Sequence, residues 1–93
     1  MQEVSNDNNS ILIKTLGEII KKHREASGKT IYSISAESSM SKSTWREAEL
    51  GVCKDINLTT LWKIAEGLDI TPAELLNEVS SVLGKDFSLT DLN

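Results

Sequence analysis

Residues Ile31 to Gly51 read IYSISAESSMSKSTWREAELG, and the reading of this stretch decides the fold. Thr30 and Ser41 each precede a helix-forming run, where a side-chain hydroxyl accepts from an otherwise unpaired amide of the first turn. The first run predicts a short helix to about Ser38, with Ile31, Ile34 and Ser35 turned inward. The second predicts a helix from about Ser41 to Leu50, stopped by Gly51 in the left-handed conformation that ends many helices. Only Ser39 and Met40 lie between them. A link this short forces the two helices to cross steeply, with Met40 as an apolar plug under the turn. The second helix then turns Trp45 and Ala48 toward the body and leaves Lys42, Ser43, Thr44, Arg46 and Glu47 facing outward.

Working outward, Leu12, Leu16, Ile19, Ile20 and His23 follow the three-to-four spacing of one helix face, with Lys14, Glu18, Lys21, Lys22 and Glu25 opposite. Thr15 and Glu18 fit a capping box, so this helix is expected to start there, with Ser10 to Lys14 as a lead-in and Gly28 as its stop. After a loop from Val52 to Ile56, Asn57 caps a helix whose Leu58, Leu61, Ile64, Ala65 and Leu68 share a face, with Trp62 beside them. Thr71-Pro72-Ala73-Glu74 combines a capping threonine, a proline at the first helical position and a capping-box glutamate. The last helix carries the stripe Leu75, Leu76, Val79, Val82 and Leu83 and stops at Gly84. Leu75 and Leu76 are expected to complete the core, leaving Val79, Val82 and Leu83 toward the outer end.

These elements describe an all-α, compact five-helix domain over residues 11–84. Residues 1–10, polar and acidic, are expected to form a flexible N-terminal arm, and residues 85–93 a C-terminal tail. With 93 residues there is room for one core and no separate catalytic domain. The single cysteine, Cys53, excludes an internal disulfide, and its one companion histidine, His23, is too remote for metal-ligand spacing. No Ser/His/Asp or Cys/His constellation and no phosphate-binding glycine loop is present, so neither an enzyme nor a cofactor is expected. No run approaches the roughly 18 apolar residues of a membrane span, and a cytoplasmic location is expected.

The formal charge is -4, but it is unevenly placed. Between Lys14 and Glu66 stand nine basic residues against seven acidic ones, so the body is weakly basic and the ends are acidic. Such a body can bind phosphate through a local patch while general attraction to polyanions stays low.

In order and spacing the chain resembles the lambda-repressor-like, Xre/Cro-type helix-turn-helix family over about Leu16 to Leu76. The resemblance is carried by Leu16-Gly17 and Arg24, Thr30, Ile34, Ser41, Glu49 and Gly51, then Leu58, Thr60-Leu61, Ile64-Ala65 and Leu68-Asp69-Ile70. Ile31 stands where the family often has Gln, Ser39 where the turn often has Gly, Ser35 for an alanine, and Trp45 for an isoleucine.

The resemblance implies a sequence-specific regulator of transcription, repressor-like, whose third helix enters the major groove of double-stranded DNA. Lys42 then suits guanine, Glu47 the amino group of cytosine, and the Thr44 methyl thymine, while Arg46 suits a guanine or a phosphate; Ser43 shares the reading turn. Thr30, Tyr32, Ser41, Lys29 and Lys54 are the candidates for backbone phosphates. Glu49 is expected to pair with Arg24 rather than to read bases. One reading helix spans few base pairs, so a homodimer on an inverted repeat is expected, with Val79, Val82 and Leu83 as its contact. Regulators of this size resemble phage repressors, restriction-modification controllers and antitoxin partners. The competing reading is a protein-interaction module on the same fold with little DNA affinity, favoured by the net charge, Glu47 and the missing Gln.

Overall fold

A computed structural model describes residues 4–90 of the chain. Five helices follow one another: α1 (Val4–Ser27), α2 (Ile31–Glu37), α3 (Lys42–Leu50), α4 (Leu58–Gly67) and α5 (Pro72–Leu83). No strand occurs among the described residues. No helix there is long and apolar enough to cross a membrane.

Four of the five capping residues read from sequence do the expected work. Thr30, Ser41, Asn57 and Thr71 accept from the backbone amides of Ser33, Thr44, Thr60 and Glu74. Thr71 and Glu74 close a reciprocal box around Pro72. Thr30 closes another with Ser33, a pairing the expected Glu/Gln pattern does not reveal.

The start of α1 corrects the expected boundary. Helix begins at Val4, so within the described residues the stretch up to residue 10 is helical rather than an arm; residues 1–3 lie outside the described residues. Thr15 therefore sits inside a helix of 24 residues and caps nothing. The reason is visible in the chain: no glycine or proline precedes Gly17, and two side chains tether the extension to two separate segments. Asn8 Nδ2 donates to the Ser88 carbonyl at 2.9 Å, and Asn9 Nδ2 donates to the Lys54 carbonyl at 2.9 Å.

One core gathers Leu16, Ile19 and Ile20 of α1, Ile34 of α2, Trp45 and Ala48 of α3, Leu61, Ile64, Ala65 and Leu68 from α4 and its cap, and Leu75 and Val79 of α5. Met40 packs against it from beneath the α2–α3 turn, as its position predicts. α1 lies across both α3 and α5, α2 rests on α3, and α4 joins α2 to α5. Gly17 makes the first crossing close: a Cβ there would meet the Ala48 carbonyl oxygen at 2.5 Å and that of Glu49 at 2.7 Å.

Four apolar assignments change. Val79 is buried and belongs to the domain's own core, so it is removed from the expected outer contact; Leu76 is exposed instead. Leu75 and Val79 are four residues apart and share one line of α5, whereas Leu76 is turned a further 100° or so around the helix. Trp62 and Leu58 are exposed too. They form an edge of α4 beside the stripe that Leu61, Ile64, Ala65 and Leu68 already fill.

Candidate nucleic-acid interface

The turn between α2 and α3 is built from backbone bonds. Ser38 N reaches Ile34 O at 3.0 Å, Ser39 N reaches Ala36 O at 3.2 Å, and Met40 N reaches Ser35 O at 2.9 Å. Ser39 occupies the left-handed region with φ 57°, where the resembling family often has glycine. The two buried serines are satisfied locally: Ser38 Oγ donates to Ile34 O and Ser35 Oγ to Tyr32 O. Ser38 also lies against Gly67, where an added Cβ would stand 2.1 Å from its Oγ, so α2 and α4 meet with nothing between them.

On α3 the division between inside and outside is sharp. Trp45 and Ala48 are buried, while Lys42, Ser43, Thr44, Arg46 and Glu47 are all exposed. The orientation of the helix is set by Glu49. Its carboxylate accepts from Arg24 Nε and, at 3.1 Å, from Arg24 Nη2, and from Trp45 Nε1 at 2.7 Å. Arg24 Nη1 also donates to the Lys29 carbonyl at 2.9 Å. One guanidinium thus ties α1 to both α3 and the segment leading into α2, and a bidentate charge-assisted pair of this kind fixes geometry as well as contributing energy. Hydrogen bonding to Glu49 raises the Arg24 pKa above the ordinary arginine value, against the opposing effect of burial. The Arg24–Glu49 pair was legible from sequence; the indole bond was not, because it depends on the rotamer of Trp45 rather than on spacing.

Around this surface the candidate phosphate ligands differ in availability. Tyr32 is exposed and its ring lies under the Lys42 ammonium, 5.2 Å from the centroid. Lys54 is exposed in the loop after α3. The Thr30 and Ser41 hydroxyls are engaged at the helix starts, with Ser41 Oγ donating to Thr44 Oγ1 at 2.7 Å. Lys29 is withdrawn from the expected role: its Nζ donates to Glu37 Oε1 at 2.9 Å, the Gly67 carbonyl at 3.1 Å and Asp69 Oδ2 at 3.3 Å. Those acceptors, Glu37 first, raise its pKa. His23 bonds Glu78 Oε1 at 2.8 Å and so links α1 to α5, away from α3.

Fold and site together define an all-α domain of five helices in which α2 and α3 form a helix-turn-helix. The crystal structure of the clp gene regulator ClgR from C. glutamicum has the same fold, with a TM-score of 0.70 and 21% sequence identity, covering 81% of this chain and 96% of that chain. No protein-family model matches the sequence, nor does any curated protein.

Proposed function

We propose that the chain is a sequence-specific double-stranded DNA-binding regulator of transcription that presents α3 to a major groove. The observation that carries this reading is the run of five exposed polar side chains, Lys42, Ser43, Thr44, Arg46 and Glu47, held outward around buried Trp45 and Ala48. The similarity in fold to a solved gene regulator supports the same direction. Lys42, Ser43 and Thr44 occupy the first turn of α3, the end that meets base edges when such a helix docks. Tyr32 supports Lys42 through its ring, and Lys54, in the loop after α3, is a backbone ligand, as are the capping hydroxyls of Thr30 and Ser41.

The finer reading is a homodimer on an inverted repeat, since one reading helix specifies too few base pairs. After the reassignment of Val79, the residues of α5 left for a two-fold contact are Leu76, Val82 and half-buried Leu83. The competing reading, a protein-interaction module, draws on exposed Leu58 and Trp62 of α4. Selection from random duplexes, followed by binding isotherms at several salt concentrations, tests the proposal. Lys42→Ala or Ser43→Ala is expected to weaken binding to the selected site by about 1 to 3 kcal/mol per lost base contact without unfolding the domain. Absence of salt-dependent duplex binding by the unaltered chain would overturn the proposal in favour of the interaction module.

A further inference from the structure

The end of α3 runs into the flank of α1. Gly51 takes the left-handed conformation with φ 68°, and a Cβ there would stand 2.8 Å from the Lys14 Cα. One helical turn or so nearer the N-terminus, Asn9 Nδ2 holds the Lys54 carbonyl at 2.9 Å. Between these two fastenings lies a cleft of about 590 Å³, lined by Asn9, Ser10, Lys14, the backbone turn at Gly51 and Val52, Cys53 and Lys54.

The charges lining this cleft have one sign. Among the described residues Lys14 and Lys54 face it and no carboxylate does, whereas the concavity at α5 is lined by both Lys22 and Glu78 and the one on α4 by both Lys63 and Glu66. Among the described residues neither Lys14 nor Lys54 makes an ion pair, unlike Arg24 and Lys29. Nor does the end of α3 require them: Gly51 N and Val52 N already reach Glu47 O at 3.0 and 3.3 Å, and Gly51 N also reaches Ala48 O at 3.2 Å. Two unpaired ammonium groups and the Ser10 hydroxyl around one hollow, in a chain of net charge -4, make a local positive site.

We propose that this cleft binds a phosphate group, with Lys14 and Lys54 supplying charge and Ser10 a hydrogen bond. For its principal source the inference rests on the DNA-binding reading. A duplex that holds the start of α3 in its groove passes one of its strands beneath the chain leaving that helix, so the phosphate is a backbone phosphodiester. α1, which reads no bases, thereby extends the footprint beyond the helix-turn-helix.

Salt dependence of duplex binding is the direct test, with Lys14→Gln, Lys54→Gln and the double variant compared against Lys85→Gln. Each phosphate contact contributes about 0.9 to the slope of log affinity against log salt, so the double variant is expected to lose about one from that slope while Lys85→Gln keeps it. Both lysines are exposed, so melting temperatures are expected to stay at the unaltered value. A second arm titrates inorganic phosphate and follows the amide resonances of Ser10, Lys14 and Gly51 to Lys54. Slope loss without phosphate-induced shifts identifies the DNA backbone as the source. Shifts abolished in the double variant, with an unchanged slope, identify free phosphate. An unchanged slope and no shifts overturn the proposal. If the unaltered chain binds no duplex, the DNA reading fails, and the phosphate arm alone decides the cleft.

Discussion

The ammonium of Lys42 lies 5.2 Å from the centroid of the Tyr32 ring, so the first residue of α3 is held against α2 across the turn. A lysine side chain has four rotatable bonds, and an aromatic face beneath it narrows where the charge can go before any DNA arrives. Tyr32 therefore acts on the first turn of α3 by orienting Lys42. The ring is 70% exposed, which puts the contact at the weak end of cation–π energies, about 0.5 to 1 kcal/mol. Tyr32→Ala is expected to weaken binding to the selected duplex by about 2- to 5-fold, and Tyr32→Phe to retain most of the affinity. Equal losses in isotherms of the two variants would place the effect in the phenolic hydroxyl on a phosphate instead.

Trp45 combines full burial with an indole bond to Glu49. Trp45→Ala is expected to cost roughly 3 to 5 kcal/mol through the cavity it opens. Trp45→Phe keeps most of the volume but leaves part of the Glu49 carboxylate without its donor, costing about 1 to 3 kcal/mol. Urea unfolding gives both values. A loss for Phe as large as that for Ala would mean that the hydrogen bond, not the packing, is the larger contribution.

How far the fold was legible follows from these same residues. Hydroxyls and an asparagine before helical runs marked four helix starts correctly, because capping is local chemistry and needs no tertiary information. Trp45 and Ala48 were placed inward by helical phase, since the polar residues between them leave no other inner line. Phase failed on α5 because Leu75, Leu76 and Val79 offer two apolar lines 100° or so apart, and only the position of α1 chooses between them. It failed at Trp62 for a related reason: the α4 stripe was complete without it. The start of α1 depended on Asn8 and Asn9 finding carbonyls 80 and 45 residues away, which no local pattern encodes. Lys29 looked free in sequence because its acceptors Glu37, Gly67 and Asp69 come together only in the fold.

Gly17 is expected to be intolerant of the smallest side chain. Alanine favours a helix over glycine by up to about 1 kcal/mol, which alone predicts stabilisation. Here the added methyl meets two backbone carbonyl oxygens of α3, at 2.5 and 2.7 Å, and backbone cannot swing aside as a side chain can. Overpacking of this kind costs about 1 to 3 kcal/mol, so Gly17→Ala is expected to lower the melting temperature. A raised melting temperature would mean that α1 and α3 separate without loss.

The Lys29 cluster gives a pH dependence with a definite sign. Hydrogen bonding to Glu37, then to Asp69, holds the folded-state pKa above the ordinary lysine value. A raised folded pKa means that the contribution is complete below the unfolded value and is lost as pH rises through the folded one. The urea midpoint of the unaltered chain is therefore expected to exceed that of Lys29→Met at about pH 8, and the gap to close as the pH is taken above the ordinary lysine value. A gap that widens with pH would contradict the assignment of these acceptors.

The arrangement of α5 bears on assembly. Leu76 and Val82 are exposed, Leu83 is half-buried, and Val79 is covered by the domain itself. A glutamate at Val79 would therefore unfold the chain and say nothing about self-association, whereas Leu76→Glu with Val82→Glu leaves the core intact. In the proposed two-fold contact each carboxylate is buried twice, once in each copy, without a partner, and such burial is unfavourable by several kcal/mol. The double variant is expected to sediment as a folded monomer, to keep a melting curve close to that of the monomeric unaltered chain at high dilution, and to bind an inverted repeat no better than a single half-site. Half-sites about ten base pairs apart set the spacing at which the unaltered dimer gains most over one half-site. If the double variant still sediments as a dimer and keeps full affinity for the repeat, α5 does not carry the contact, and the exposed edge of α4 at Leu58 and Trp62 is the surface to alter next.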